Sequence, residues 1–202
     1  SAQLIKRYSK KWGEDEINEH HSVINESVKN ITALMDDVLL ISKSEEGKIK
    51  LQPEEINIEE VLKGLAASIK PLLKRGQKIN YKNNSGNKLI NIDKKIVSQI
   101  ISNLLSNAIK YSAEGSEVKL LSSVQEGKLL VSVKDYGIGI AKKDLPFIFD
   151  PFFRTQNAIH MEGTGLGLNI VKRMIDVLNG TISVNSEINK GTSFEVVIPL
   201  IK

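Results

Sequence analysis

Asp135-Tyr-Gly-Ile-Gly-Ile140 is the stretch from which the rest of the chain can be ordered. The apolar run at 129–133 leads into it and reads as a buried strand. That strand stops on a carboxylate, Asp135, and two glycines follow at alternate positions, Gly137 and Gly139. A strand that ends on an acid and then requires glycine twice implies close backbone approach to something bound. The carboxylate can accept a hydrogen bond from an amino group, such as the exocyclic amine of adenine. Asp-x-Gly-x-Gly also occurs in ordinary turns, so the weight of the motif depends on what surrounds it.

Composition narrows the classes. The chain has 202 residues, of which 41% are hydrophobic and 26% charged, the make-up of one or two soluble globular domains. Lys and Arg total 28 against 24 acids, a formal charge of +4. The basic residues are scattered without aromatic interleaving, which argues against a nucleic-acid partner. Cysteine is absent, so disulfides and thiolate metal sites are excluded and a reducing, cytoplasmic compartment is expected. No apolar run reaches the roughly 20 residues that span a bilayer. The chain begins Ser1-Ala2 without an initiator Met and is expected to be a fragment of a longer protein.

Upstream of the motif, residues 1–46 are helical in composition. A first segment carrying Leu4, Ile5 and Tyr8 breaks at Gly13, and Glu14-Asp-Glu16 supplies an acidic first turn for a second helix. Ile17, His21, Ile24, Val28, Ile31, Met35 and Val38 recur at alternating spacings of four and three, the pattern of a bundle seam. One helix cannot bury such a seam, so a helical hairpin pairing with a second copy into a four-helix bundle is expected. Asp36 and Asp37 read as a solvated face, and His20 and His21 as bundle residues. Gly47 is a C-cap, and a linker around Pro53 marks a domain boundary. Asn57 and Glu60 form a capping-box start, and Pro71 kinks or shortens the helix that follows. Residues 78–82 and 89–92 read as short strands. Asp93 then caps a long helix with a core face of Val97, Ile101, Leu104, Leu105 and Ala108. On this helix Asn103, Asn107 and Lys110 share a second, narrow face. Carboxamide oxygens can bind a hydrated hard cation, and a Lys one turn on can meet phosphate.

Strands at 117–125 and 128–135 flank a turn at Glu126-Gly127. An irregular stretch of nearly thirty residues follows, up to Thr164, containing four of the five phenylalanines: Phe147, Phe149, Phe152 and Phe153. Such length within a compact domain marks a lid, expected to be mobile without a ligand. His160 within it reads as an exposed loop residue. Gly163-Thr-Gly-Leu-Gly-Leu168 closes the stretch immediately before a helix, where backbone amides can meet phosphate. Gly180 ends that helix, and residues 181–186 and 193–199 form a last pair of strands.

Four boxes therefore stand in order: Asn103-Leu-Leu-Ser-Asn-Ala-Ile-Lys-Tyr111, Asp135-x-Gly-x-Gly139, Phe149-Asp-Pro-Phe-Phe-Arg154 and Gly163-Thr-Gly-Leu-Gly-Leu168. Together they resemble the ATP-binding domain of sensor histidine kinases, within the gyrase–Hsp90–histidine kinase–MutL superfamily. The resemblance covers residues 48–202. The helices of 1–47 resemble part of the family's dimerisation and phosphotransfer domain. The fold this implies is α+β: a two-layer α/β sandwich, a mixed sheet backed by helices with a Bergerat-type ATP site, preceded by a helical hairpin. ATP and Mg2+ are the implied cofactors. Asp135 would take the adenine amine, Gly139 would let the base approach, and Gly137 belongs to the same turn. Asn107 would be the leading Mg2+ ligand with Asn103 beside it, and Lys110 and Tyr111 would approach the phosphate and ribose. Gly163, Thr164, Gly165, Leu166 and Gly167 would shape the lid hinge and offer amides to phosphate. Gly191 and Thr192 stand where the family has its closing glycine turn.

The implied activity is transfer of the ATP γ-phosphate to a histidine and on to the receiver domain of a response regulator. A homodimer through the N-terminal helices and a membrane-attached parent with this fragment soluble are also implied. The family's acceptor string, His followed by an acid and shortly by Thr or Asn before Pro, does not occur in these residues. The reactive histidine is therefore expected upstream of Ser1. Two other readings are a serine kinase or ATPase of the same superfamily, and a nucleotide-binding docking module without transfer.

Overall fold

The computed structural model describes residues 1, 13–45, 47–86, 88–161 and 163–201. The helix anticipated around Leu4, Ile5 and Tyr8 lies outside them. The chain divides into two compact units, Ser1–Ser42 and Lys43–Lys202.

The first unit is built on helix α1 (Glu14–Glu45), 32 residues long, up to Ser42; the last three residues of the helix fall in the second unit. Its acidic first turn opposes the positive end of the helix dipole, and the Gly13 N–H donates to Glu16 Oε2 at 3.1 Å. At the other end Gly47 adopts φ +62° and its N–H donates to the Ser44 carbonyl at 3.1 Å. The expected seam lies open: Val28, Ile31, Met35 and Val38 are between 51 and 61% exposed. His21 is exposed with them. Covering each such side chain is worth about 1.5–3 kcal/mol. No described helix is long and apolar enough to cross a membrane.

The second unit is a five-stranded mixed sheet in the order β2 (Lys78–Asn83), β4 (Glu117–Gln125), β5 (Lys128–Lys134), β7 (Gly191–Pro199), β6 (Thr181–Glu187). Only β2 and β4 are parallel; the remaining pairs are antiparallel. The expected architecture, a mixed sheet backed by helices, is the one observed. A separate two-stranded ribbon joins β1 (Glu54–Asn57) to β3 (Leu89–Ile92). β5 occupies the centre because its alternation Leu129, Val131, Val133 meets Ile198, Val196 and Phe194 of β7 in register. These residues form the inward face of the sheet and are buried.

Three helices cover that face: α2 (Ile58–Ser68), α3 (Lys94–Tyr111) and α4 (Gly167–Val177), with α3 packed against both others. Asn57 caps α2, accepting from the Glu59 and Glu60 N–H groups. The helix stops before a 3-10 turn at Lys70–Leu72 that contains Pro71. Asp93 caps α3 through the Ile96 N–H at 3.0 Å. α3 buries Ile96, Val97, Ile100, Ile101, Leu104, Leu105, Ala108 and Ile109, a wider stripe than the five positions read from periodicity. α4 ends at Val177 with Leu178 as its C-cap, and the left-handed residue that stops it stands one position before the glycine expected to do so. Asn179 takes the left-handed conformation (φ +52°), its N–H reaches the Asp176 carbonyl, and the Gly180 N–H reaches Ile175, a Schellman arrangement. Gly180 is required for room, since a Cβ there would lie 2.6 Å from the Val197 carbonyl oxygen.

The end of α3 is closed by two side chains that periodicity does not reveal. Lys74 Nζ donates to the carbonyls of Lys110 (2.8 Å) and Ser112 (2.6 Å). Buried Gln77 donates through Nε2 toward the carbonyls of Ile109, Ser112 and Ala113. The last carbonyls of a helix have no intrahelical partner and are costly to bury bare. Gln77→Leu should therefore lower stability by about 1–3 kcal/mol, read as a shift in the urea midpoint without a change in slope.

Candidate functional site

The end of β5, the end of α3 and the β6–β7 hairpin meet at Asp135. Its carboxylate is 5% exposed. Oδ1 accepts from the Gly137 N–H at 2.8 Å and the Thr192 N–H at 3.2 Å. Oδ2 has no donor among the described residues. Burial pushes the Asp135 pKa above its ordinary 3.8, and the N–H groups of Gly137 and Thr192 pull against that shift without cancelling it.

The glycines of the motif serve the chain's own backbone. A Cβ on Gly137 would stand 2.1 Å from the Tyr111 carbonyl oxygen, and one on Gly139 2.0 Å from that of Glu187. A Cβ on Gly191 would stand 2.1 Å from the Asp135 carbonyl oxygen. Three backbone segments thus pack at contact distance, and the Ile138 N–H donates to the Tyr111 carbonyl at 3.1 Å. The sequence reading took the two motif glycines as room for a bound group; the structure puts α3 and β6 in that room. Tyr136 follows the buried carboxylate in sequence and is itself open to solvent. It is 43% exposed, with Lys119 and Lys134 Nζ 5.4 and 5.1 Å from its ring centroid.

A second group forms where α3 faces the start of α4. Asn103 Oδ1 would lie 3.1 Å from a Cβ on Gly167, and Lys110 Nζ 2.4 Å from one on Gly163. Lys110 Nζ also reaches the Tyr111 hydroxyl at 3.0 Å. Asn103 Nδ2 donates to the Gln99 carbonyl. The carboxamide of Asn107, between Asn103 and Lys110 on the helix, makes no hydrogen bond among the described residues. The N-terminus of α4 has no side-chain cap and no acid in its first turn, leaving N–H groups that favour an anion. Thr164 Oγ1 accepts from the Leu166 N–H. The Leu166 side chain is fully buried, so Leu166 can offer the site only its backbone.

The lid stretch carries 3-10 turns at Leu145–Phe147 and Gln156–Ala158. Phe147 stacks on Phe153 with ring centroids 5.8 Å apart, while Phe152 is 66% exposed. Phe152 is held at φ +63° by its N–H bond to the Gly165 carbonyl. Arg154 Nη2 gathers the carbonyls of Ala158, Ile159 and Met161. Asn157 Nδ2 donates to the Gly139 carbonyl at 3.1 Å, tying the lid to the Asp135 turn. Buried Asn169 donates to the Phe149 carbonyl at 2.8 Å. His160 is exposed.

Sequence reasoning missed Ser186, a buried hydroxyl between the Asp135 turn and the β6–β7 hairpin. Strand parity could have found it. Ile182, Val184 and Ser186 share one face of β6, and the serine is the polar member of that inward-facing set.

Residues 92–202, more than half of the chain, match the family described as histidine kinase-, DNA gyrase B-, and HSP90-like ATPase. The chain belongs to this ATPase family. Among relatives, it is 34% identical over 206 residues to the autoinducer 2 sensor kinase/phosphatase LuxQ of Vibrio cholerae, covering 98% of this chain and 24% of LuxQ. It is 36% identical over 183 residues to the sensor histidine kinase RcsC of Escherichia coli K12, covering 89% of this chain and 19% of RcsC. The chain thus spans a quarter or less of the length of these relatives. Among solved structures, full-length ShkA in complex with AMPPNP superposes with a TM-score of 0.82 at 27% identity, over 96% of this chain and 41% of that one. The resemblance carried by the four boxes holds.

The raised Asp135 pKa fixes the sign of a pH effect. The folded protein holds this proton more tightly than the unfolded chain does. The corresponding stability is fully present below the ordinary value of 3.8 and is lost as pH rises through the raised one. At neutral pH the ionised carboxylate opposes folding. Asp135→Asn, which keeps an acceptor for both N–H groups, should raise the melting temperature of the empty protein at pH 7. The rise should be roughly 2–4 °C per kcal/mol recovered, and the gain should vanish as the pH falls toward 3.8. Calorimetric scans across that range are the check.

Proposed function

We propose that this chain is the ATP-binding catalytic part of a two-component sensor histidine kinase. In this reading residues 48–202 are the nucleotide-binding domain and 1–47 belong to the dimerisation and phosphotransfer helices. The observation that carries it is the Asp135 carboxylate: buried, one oxygen held by two backbone amides and the other without a protein donor. That is an acceptor prepared for one amino group. An adenine amine fits it in a chain of this ATPase family, and LuxQ, RcsC and the AMPPNP-bound ShkA lend support.

ATP would supply the phosphoryl group. Tyr111, Lys110, Asn107 and Asn103 lead along α3 from the base end toward the uncapped start of α4, where Gly163, Thr164, Gly165 and Gly167 would shape the phosphate end. Mg2+ fits in a limited sense. Among the described residues no group of three or more His, Cys, Asp or Glu could hold a metal. The unpartnered Asn107 carboxamide can nevertheless supply one oxygen to an ion that keeps its waters and meets phosphate, with Asn103 beside it. The exposed seam of α1 supports homodimerisation. The receiver domain of a response regulator would accept the phosphoryl group from the histidine.

We place that histidine outside these residues. His20 and His21 have no acidic neighbour directly after them, and His160 sits in the lid. Transfer requires an imidazole nitrogen with a base to take its proton. With γ-phosphate-labelled ATP, the chain should bind nucleotide and remain unlabelled. The chain extended to its parent's upstream helix should gain acid-labile, base-stable label. Label on serine, or binding without transfer in the full-length parent, would sink the kinase reading. Strong label on the present chain, lost in His20→Gln with His21→Gln, would show the acceptor misplaced.

The metal assignment has its own check. Asn107→Ala should abolish the Mg2+-dependent gain in nucleotide affinity while leaving the circular dichroism spectrum unchanged. Asn103→Ala should act in the same direction. Normal Mg2+-dependent binding by fluorescence titration in Asn107→Ala would remove this residue from the site.

A further inference from the structure

Ser186 lies at the end of β6 and is 9% exposed. Its Oγ accepts from the Ile140 N–H at 2.8 Å. It lies 3.0 Å from the Gly191 carbonyl oxygen and 2.8 Å from Thr192 Oγ1. A serine hydroxyl has one proton to donate and two lone pairs to accept. One assignment uses all three: Ser186 donates to Gly191, and Ile140 N–H and Thr192 O–H donate to Ser186. The hydroxyl is then saturated inside the protein.

The peptide unit it holds is the important one. The Gly191 carbonyl and the Thr192 N–H belong to the same planar amide and point in opposite directions. Ser186 fixes the carbonyl end, and the N–H end donates to Asp135 Oδ1. Gly191 sits at φ +99°, so the conformation of this turn depends on such contacts. The other bond, from Ile140, ties down the far side of the 135–140 turn, whose near side supplies the Gly137 N–H to the same oxygen. One hydroxyl therefore secures both segments that hold Asp135 Oδ1.

We propose that Ser186 is a positioning residue for base recognition: it locks the Gly191–Thr192 peptide and the 135–140 turn so that Asp135 presents Oδ2 to the amino group of a 6-aminopurine nucleotide. The proposal rests on the nucleotide-site reading above and adds a residue that does not touch the ligand. It makes a selective prediction. Loosening Asp135 weakens the contact to the amino group and leaves contacts to ribose and phosphate in place.

The test compares ATP with purine riboside triphosphate, which lacks only the 6-amino group, by calorimetric titration of the whole chain. The wild-type protein should prefer ATP by about tenfold or more, as expected for a hydrogen bond to a charged group. In Ser186→Ala that preference should fall to within about twofold, with binding of the purine analogue little changed. Ser186→Thr, which restores a hydroxyl, should recover it. Should Ser186→Ala fail to fold, Ser186→Cys fills the position with a slightly larger atom while replacing the hydroxyl by a weak donor and acceptor, and it should show the same collapse. A variant that folds and keeps the full preference for ATP overturns the role of Ser186 and leaves the site reading intact. Equal binding of both nucleotides by the wild type overturns base recognition by Asp135, and absence of binding to either overturns the site itself.

Discussion

A single buried carboxylate sets the terms for the second unit of this protein. Asp135 is held in a charged-group environment made of backbone: two N–H groups on one oxygen, with burial opposing its ionisation. Backbone amides can serve an anion only if the chain comes very close, and closeness is what the neighbouring glycines provide. Side chains at 137, 139 or 191 would stand about 2 Å from carbonyl oxygens of Tyr111, Glu187 and Asp135. The end of β5, the end of α3 and the β6–β7 hairpin are thus locked to one another around an acid that weakens the empty fold.

α3 transmits this constraint to the rest of the site. Its final carbonyls are distributed among partners: Ile109 to Gln77, Lys110 to Lys74, Tyr111 to the Ile138 N–H. The helix end is consequently fixed against the Asp135 turn. Its inward face is bound to the sheet by a stripe of buried aliphatics. On the face left over, Asn103 and Lys110 stand against Gly167 and Gly163 at the start of α4, with Asn107 between them along the helix. Rigid scaffolding of this kind lets weak individual contacts define a ligand geometry.

Much of this was legible in the sequence because the signals were local. Asn57 and Asp93 cap their helices as their positions before apolar runs require, and β5 could be read from the apolar run at 129–133. The four boxes were enough to name the family. What resisted reading was nonlocal. The atom that forbids a side chain at Gly139 belongs to Glu187, 48 positions away, so the glycine looked like room for a ligand. Lys74 and Gln77 close a helix more than thirty residues downstream, and no pattern around them says so. The α1 seam is the converse case. Its spacing was plain, yet Val28, Ile31, Met35 and Val38 are exposed, and a repeat by itself does not say what would cover it.

Polar groups of the second unit fall into a satisfied and an open set, beside two buried atoms, Ser112 Oγ at the end of α3 and Arg154 Nε in the lid, that have no partner among the described residues. Gln77, Asn169 and Ser186 are buried, and each finds its partners within the protein. Asp135 Oδ2, the Asn107 carboxamide and the uncapped start of α4 have none among the described residues. The same fold closes the carbonyls at the end of α3 with Lys74 and Gln77 and leaves these groups open. They follow one path, from the β5 end along α3 to α4, and their chemistry changes along it: an acceptor, then a neutral oxygen donor, then N–H groups beside a lysine. An amino-bearing base at one end and a phosphate chain at the other would satisfy all of them together, and local departures from full satisfaction are where a fold keeps its function.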